Sequence, residues 1–165
     1  MTIEPLKSNL QTKIVTSPER LSRERASVFL AGSIDMGAAE DWQSKVQKAL
    51  SGHAVTIFNP RREDWDHSWK QDISDQNFRE QVKWELDHLE SANLILIYFA
   101  PQTKSPISLL ELGLFATSQK CIVCCPPGFW RRGNIQILCQ RYNIPCVDDF
   151  QTFIELAKSK LSVMI

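Results

Sequence analysis

The stretch Leu94-Ile-Leu-Ile-Tyr98 is apolar at every position, and the run continues through Phe99 and Ala100. A strand with one face in water alternates polar and apolar residues, whereas a strand covered on both faces is continuously apolar. The stretch therefore predicts a strand in the middle of a sheet that carries helices on both sides. Such sheets are mostly parallel, because their strands are joined by crossover helices.

Short apolar runs and helical patterns alternate along the rest of the chain. The predicted strands are at residues 27–31, 54–58, 93–99, 120–125 and 145–147. The predicted helices are at residues 38–51, 76–91, 108–119, 134–142 and 150–162. This alternation predicts an α/β fold in a single flavodoxin-like or Rossmann-like domain, with a five-stranded parallel sheet and helices on both faces. We expect residues 1–25 to form an N-terminal arm, with a turn of helix at residues 18–25, and residues 26–165 to form the domain.

Composition excludes several classes of protein. The 165 residues include 19 Lys and Arg and 19 Asp and Glu, so the net charge is zero and gives no electrostatic footprint for nucleic acid. The longest apolar run is far shorter than the roughly 20 residues that span a bilayer. The first 25 residues lack the apolar segment of a secretory signal. We expect a cytoplasmic protein that binds neither nucleic acid nor membrane.

The five cysteines do not form a metal or disulfide pattern. An odd number of cysteines in a cytoplasmic chain argues against a disulfide framework. Cys121 and Cys124 have the spacing of a zinc pair but lack a second close pair. We therefore expect buried structural thiols, no metal and no cofactor.

Two glutamates occur where helical patterns are otherwise apolar. Glu111 lies in a segment that is apolar nearly all round, which predicts a helix packed on both faces. Glu85 lies in the predicted seam of helix 76–91, formed by Phe78, Val82, Leu86 and Leu89. A glutamate is rarely buried without a partner, because removing its charge from water costs several kcal/mol. Each of the two is therefore either at a solvated edge, paired with an arginine, or a functional carboxylate.

A pair of carboxylates in unlike environments suits glycosyl transfer. One ionised group attacks or stabilises an oxocarbenium-like carbon, and a protonated group assists the leaving group. Burial raises the pKa of the acid and keeps the two roles apart.

Other candidates lie in loops at the carboxyl ends of the predicted strands, where ligands bind in such sheets. Gly32 and Ser33 follow the first strand and let backbone N–H groups approach a ligand. In the loop 59–66, Arg62 and Glu63 fit a salt-bridged surface, whereas Trp65 either packs or stacks on a planar base. Ser105 precedes a proline, and this pattern predicts that Ser105 is a helix N-cap.

Five motifs together resemble the nucleoside 2-deoxyribosyltransferase family, over about residues 27–134. They are Phe29-Leu-Ala-Gly-Ser-Ile34, Asn59-Pro-Arg-Arg-Glu-Asp-Trp65, Trp84-Glu85, Ser91-Ala-Asn-Leu-Ile-Leu96 and Leu110-Glu-Leu-Gly113.

The resemblance implies transfer of deoxyribose between bases by double displacement, with a nucleoside and a free nucleobase as partners. Glu111 looks like the nucleophile that holds the sugar covalently, and Glu85 looks like the acid at the base, with Asp64 or Asp66 as its substitute. Asn134 looks like the residue that a neighbouring subunit contributes, so we expect a homo-oligomer of at least two chains. The substrate-binding candidates are Gly32, Ser33, Asp35, Asn59, Arg61, Asp64, Trp65, Ser105 and Asn134.

Three positions depart from the family pattern. Phe29 stands where the family has a tyrosine, so no hydroxyl there can orient Glu111. Ser105 stands where several transferases have aspartate and the related deoxynucleoside-monophosphate N-hydrolases have serine. Asp35 stands where those hydrolases tend to have an arginine, and an acid repels a phosphate, which favours an unphosphorylated nucleoside.

We therefore expect a nucleoside 2′-deoxyribosyltransferase. One alternative is an N-glycosidase that hydrolyses a nucleoside or a deoxynucleoside 5′-monophosphate with the same carboxylates, because the two reactions differ only in how well water is excluded. The other is a nucleotide-sensing Rossmann-like module without catalysis, since such folds host many functions.

Overall fold

A computed structural model describes residues 11–19, 25–35 and 39–164 of the chain. Within these residues, six strands form one parallel sheet and five helices cover it. The strands are β1 (Lys13–Thr16), β2 (Ala26–Gly32), β3 (Val55–Asn59), β4 (Leu94–Tyr98), β5 (Cys121–Cys124) and β6 (Cys146–Val147). The helices are α1 (Trp42–Ala49), α2 (Gln76–Ser91), α3 (Pro106–Phe115), α4 (Arg132–Tyr142) and α5 (Phe150–Ser162).

The prediction of an α/β fold with a parallel sheet is confirmed, but the predicted number of strands is wrong. The sheet has the order β1-β3-β2-β4-β5-β6, with β1 as a sixth, edge strand beside β3. Lys13–Thr16 lies within the predicted N-terminal arm, residues 1–25. Only Val15 of this strand is buried, so the strand lacks the continuous apolar pattern that revealed the others. The predicted turn of helix at residues 18–25 lies largely outside the described residues.

The order of the other five strands brings two loops together. The sheet without β1 has the flavodoxin order, in which the chain changes direction between β2 and β4. The loops after these two strands leave the sheet side by side and bound a crevice at its carboxyl edge. Ligands of open α/β sheets bind in this position.

Gly32 permits the close approach of β2 and β4 at this point. Its φ is +134°, and a Cβ there would lie 2.3 Å from the carbonyl oxygen of Tyr98. The next residue, Ser33, donates its backbone N–H to the same oxygen at 2.9 Å. Glycine is therefore required here both by its conformation and by space.

The core has two layers, one on each face of the sheet. One layer packs β-strand residues such as Phe29 and Ile97 against Trp84 of α2, Leu112 of α3 and Cys139 of α4. The other layer packs the opposite side of the strands against α1 and α5. The helices that carry Glu85 and Glu111 therefore lie on the same face of the sheet.

The predicted bounds of α2 and α5 agree with the structure at both ends. The prediction that α3 is packed on both faces is wrong for the chain alone. Three of its apolar side chains are 58–67% exposed, and we call them the α3 apolar surface: Ile107, Leu110 and Leu114. No helix among the described residues is long and apolar enough to cross a membrane.

Candidate functional site

Glu111 is buried on α3 without a polar partner among the described residues. It faces the core together with Ser108, Leu112 and Phe115. No described residue donates a hydrogen bond to either of its carboxylate oxygens, and no arginine or lysine in that part of the chain pairs with it. Burial, together with the smaller effect of the charge of Glu85, raises the pKa of Glu111 to about 8. The sequence-based alternative of an arginine partner is thus not realised among the described residues.

Glu85 lies on the partly buried side of α2. Burial raises its pKa to about 7, opposed by a hydrogen bond from the Gln81 side chain. The predicted apolar seam is only partly correct, because Leu86 is exposed and the buried positions of α2 include polar residues. The buried side chains of α2 are Gln81, Trp84, His88 and Leu89.

The two carboxyl groups are close enough to influence each other's ionisation. Glu85 has the lower pKa and loses its proton first, and its negative charge then helps to retain the proton of Glu111. The pKa values therefore belong to the pair, which holds a single proton between about pH 7 and 8. The sequence placed both residues on helices, but only the fold shows that these helices bring the two carboxyl groups together.

Three buried or partly buried hydroxyl groups meet in the crevice between β2 and β4. The Oγ of Ser33 lies 2.6 Å from the Oγ of Ser105 and 3.0 Å from the Oγ1 of Thr103, and the last two are 2.9 Å apart. The backbone N–H of Ala100 donates to Ser33 Oγ at 2.9 Å. We call Ser33, Thr103 and Ser105 the hydroxyl cluster.

Ser105 precedes the first residue of α3, as predicted, but its side chain does not cap the helix. Its φ of +45° turns the hydroxyl towards the cluster instead of towards the N–H groups of the first turn. This left-handed conformation is uncommon for a residue with a side chain, and such strain is concentrated at functional sites.

A cavity of 290 Å³ opens beside the hydroxyl cluster. Asp35 and Glu40 line it from the β2 side, and Thr103 lines it from the β4 side. Glu40 also accepts hydrogen bonds from Lys45 and Tyr98, and these bonds lower its pKa. Among the residues that the structure describes, the lining of the cavity includes two acidic side chains and no arginine or lysine.

Asn59 and Arg61, two of the predicted site residues, form hydrogen bonds that hold the loop after β3. Asn59 is buried and accepts the backbone N–H of Arg61 at 3.0 Å. Arg61 donates to the carbonyl oxygens of Ala39 and Glu40, both at 3.1 Å. These contacts tie the loop after β3 to the loop after β2, at the edge of the cavity.

Further along this loop, the salt bridge predicted for Arg62 is present, and its partner is Asp64. Arg62 donates to both carboxylate oxygens of Asp64, at 2.9 and 2.7 Å, and this lowers the pKa of Asp64. The pKa of Asp66 is lowered as well, by hydrogen bonds from Ser68. Neither aspartate is therefore held in the protonated form that an acid would need. Trp65 is half-buried, with its ring 5.1 Å from that of Trp69.

Asn134 and the cysteines are the remaining residues that the sequence singled out. Asn134 is exposed in the first turn of α4, and no hydrogen bond among the described residues joins it to Glu85 or Glu111. The five cysteines are free thiols, and all are buried except Cys146, which is half-buried. In the part of the chain that the structure describes, no group of three or more His, Cys, Asp or Glu side chains is placed to hold a metal.

Sequence reasoning missed Gln81 and Thr103. Thr103 lies in a turn whose sequence gives no sign that its hydroxyl meets those of Ser33 and Ser105. Gln81 could have been noticed, because a glutamine four residues before a glutamate on a helix is spaced for a side-chain hydrogen bond.

Comparisons with known proteins support the fold and the family. No curated protein sequence matches the chain. A crystal structure of a conserved protein from Enterococcus faecalis is similar in fold, with a TM-score of 0.57 at 12% sequence identity, over 83% of this chain and 99% of that one. The model of the family described as "Nucleoside 2-deoxyribosyltransferase like" matches residues 25–129, which is more than half of the chain. The chain therefore belongs to the nucleoside 2-deoxyribosyltransferase-like family.

Proposed function

We propose that the protein is a nucleoside 2′-deoxyribosyltransferase that exchanges the base of a nucleoside through a covalent sugar on Glu111. The observation that carries the proposal is the pair formed by Glu111, which is buried and has no hydrogen-bond partner among the described residues, and Glu85 close by. A buried carboxylate with no partner is costly for folding, so its presence here supports a role in chemistry.

The reaction needs one proton on the pair. The ionised Glu111 attacks C1′ while the bond from C1′ to the base nitrogen breaks, and Glu85 gives its proton to that nitrogen. In the second step the nitrogen of the acceptor base attacks C1′, its proton passes to Glu85, and the bond between C1′ and Glu111 breaks. The configuration at C1′ is inverted in each of the two steps, so the product retains the configuration of the substrate.

Burial raises the pKa of Glu111 to about 8 and that of Glu85 to about 7, so the two carboxyl groups hold a proton with similar affinity. Moving the single proton between them therefore costs little beside the barriers that enzymes lower. Both the doubly protonated and the doubly ionised pair are inactive. Activity should therefore be highest between about pH 7 and 8 and fall on either side.

The cavity beside the hydroxyl cluster supports an unphosphorylated nucleoside as the substrate. Asp35 and Glu40, which line this cavity, would repel a phosphate. The serine at position 105 is the feature that favours the alternative, hydrolysis of a nucleoside or its 5′-monophosphate.

The α3 apolar surface supports a homo-oligomer. It adjoins Glu111 on the same helix, because at 100° per residue Glu111 lies between the buried side and the exposed apolar side of α3. We infer that a second copy of the chain covers this surface and that Asn134 acts across the interface. Sedimentation should show a dimer or larger assembly, and Leu110→Asp should give monomers. The control Ile73→Asp, at a 76% exposed position outside this surface, should leave the assembly unchanged.

The test of the reaction is chromatography of deoxyinosine with the enzyme, with and without adenine. Deoxyadenosine formed only with adenine, and not by Glu111→Gln, supports transfer. The matched control Glu80→Gln, an exposed position of α2, should be as active as the wild type. Hypoxanthine without deoxyadenosine would establish hydrolysis instead, and binding of nucleotide without any turnover would support the sensing module.

Covalency is tested separately with a slow 2′-fluoro nucleoside. The intact mass of the wild type should increase by one sugar, on Glu111. Measured turnover without this adduct would contradict double displacement.

A further inference from the structure

A buried amide side chain lies between Glu85 and the loop after β3. Gln81 is only 2% exposed, although its sequence position gives no apolar reason for burial. Its Nε2 donates to Oε1 of Glu85 at 2.8 Å, and its Oε1 accepts from Nη1 of Arg62 at 3.1 Å. Gln81 thus connects the proposed acid with an arginine that does not reach the acid itself.

The orientation of the Gln81 amide is set by Arg62. A guanidinium only donates hydrogen bonds, so the oxygen of the amide must face Arg62 and the nitrogen must face Glu85. Arg62 is itself held by its two hydrogen bonds to Asp64 and by the ring of Trp69, 5.2 Å away. The Nε2 of Gln81 has a second, long contact of 3.5 Å with the carbonyl oxygen of Pro60. An amide turned the other way would place two oxygens against each other at Glu85.

This orientation has two consequences for Glu85. The N–H of Gln81 favours the ionised carboxylate and so opposes the effect of burial on its pKa. It also occupies Oε1, whereas no described residue makes a hydrogen bond to Oε2. The proton that Glu85 transfers is therefore carried on Oε2.

We propose that Gln81 is a positioning residue that orients Glu85 and tunes its proton transfer, and that Arg62 holds the Gln81 amide in the orientation this requires. The inference rests on the proposed function, in which Glu85 is the acid. It extends the site to the loop after β3, since Asp64, Arg62, Gln81 and Glu85 form one chain of hydrogen bonds.

The first test is the titration of Glu85 in protein labelled with ¹³C at the glutamate carboxyl, with its signal assigned from Glu85→Gln. In Gln81→Met, which keeps the length of the side chain, the proton affinity of Glu85 should rise about tenfold or more, which is an upward shift of its midpoint by at least about one pH unit. Arg62→Met should shift it in the same direction by less, because the amide can then turn over. Arg62→Lys, which keeps a donor, should stay close to the wild type.

Helix α2 offers a matched control. Gln76 donates to Glu80 at 2.9 Å with the same four-residue spacing, but both residues are exposed. Gln76→Met should change neither the titration of Glu85 nor the pH profile of base exchange. An unchanged or lowered midpoint of Glu85 in Gln81→Met would overturn the inference. If Gln81→Met does not fold, the variants of the partly exposed Arg62 test the inference instead. The same titration midpoint of Glu85 in Arg62→Met and in the wild type would also overturn it.

The second test is the pH profile of base exchange. The midpoint of the pH profile that reflects the ionisation of Glu85 should shift to higher pH in Gln81→Met. A merely structural role would instead lower the rate at every pH alike. Wild-type turnover with an unshifted profile in Gln81→Met contradicts only the positioning role. Absence of wild-type turnover contradicts the proposed function, and the titration still reports whether Gln81 acts on Glu85.

Discussion

The buried carboxyl of Glu111 should destabilise the folded protein at alkaline pH. Its pKa is raised from 4.5 to about 8, so between these values the folded chain holds a proton that the unfolded chain has released. The contribution of this proton to stability is fully present below about pH 4.5 and is lost as the pH rises through about 8. A tenfold difference in proton affinity corresponds to about 1.4 kcal/mol, so the difference in unfolding free energy between pH 5 and pH 8.5 is about 4 kcal/mol.

Glu111→Gln removes this titration and keeps the shape of the side chain. Relative to the wild type, the variant should gain about 4 kcal/mol more stability at pH 8.5 than at pH 5, or roughly 10 °C in melting temperature. Urea unfolding at the two pH values measures this directly. The control Glu80→Gln, at an exposed position of α2, should show almost no such difference. If Glu111→Gln had the same effect at both pH values, the carboxyl would be hydrated and the reasoning from burial would be refuted.

Three further predictions concern the fold around the site. Gly32→Ala should cost about 3 kcal/mol or more of unfolding free energy, because the Cβ meets the backbone of Tyr98, whereas Gly52→Ala, with φ of +83° and open space, should cost only about 1 kcal/mol. Asp75→Ala should cost about 1 kcal/mol in urea unfolding, because the Asp75 carboxylate caps α2. Of the five thiols, the half-buried Cys146 should react first with a thiol reagent and the other four only on unfolding.

Each of these has an outcome that contradicts it. Equal losses for Gly32→Ala and Gly52→Ala would show that conformation alone, and not the close approach of β2 and β4, requires the glycine. An Asp75→Ala variant as stable as the wild type would mean that the cap is replaced by water. Rapid reaction of several thiols in the folded protein would contradict their burial.

The strands were predictable to the extent that they are buried. All five residues of β4 are buried, and its sequence is apolar throughout. A continuous apolar run this short is typical of a buried strand, whereas a buried helix would be longer. β1 has one buried residue and pairs only with β3, so its sequence resembles that of a loop. An edge strand is defined by its pairing with a neighbour in space, and that information is not contained in its own pattern.

The candidate site could be predicted from the sequence where a charge interrupts an apolar pattern, as at Glu85 and Glu111. The polar residues that surround these carboxylates were not, because a glutamine or serine in a sequence looks the same whether it is solvated or buried. Gln81 is one turn before Glu85, and its burial follows from the position of the loop that carries Arg62. Contacts between segments distant in sequence decide which polar residues enter a site.

In the proposed function, the α3 apolar surface would connect the assembly of the protein with its choice between transfer and hydrolysis. A sugar held on Glu111 would be attacked either by a base or by water, and Glu111 borders a surface that is open to solvent in the single chain. A second copy that covers this surface would exclude water and favour transfer over hydrolysis. The ratio of hydrolysis to transfer should therefore rise several-fold in Leu110→Asp, and in the wild type as it is diluted into monomers, with Ile73→Asp behaving as the wild type. Product ratios that stay constant while sedimentation shows dissociation would mean that the fold of one chain alone keeps water from the sugar.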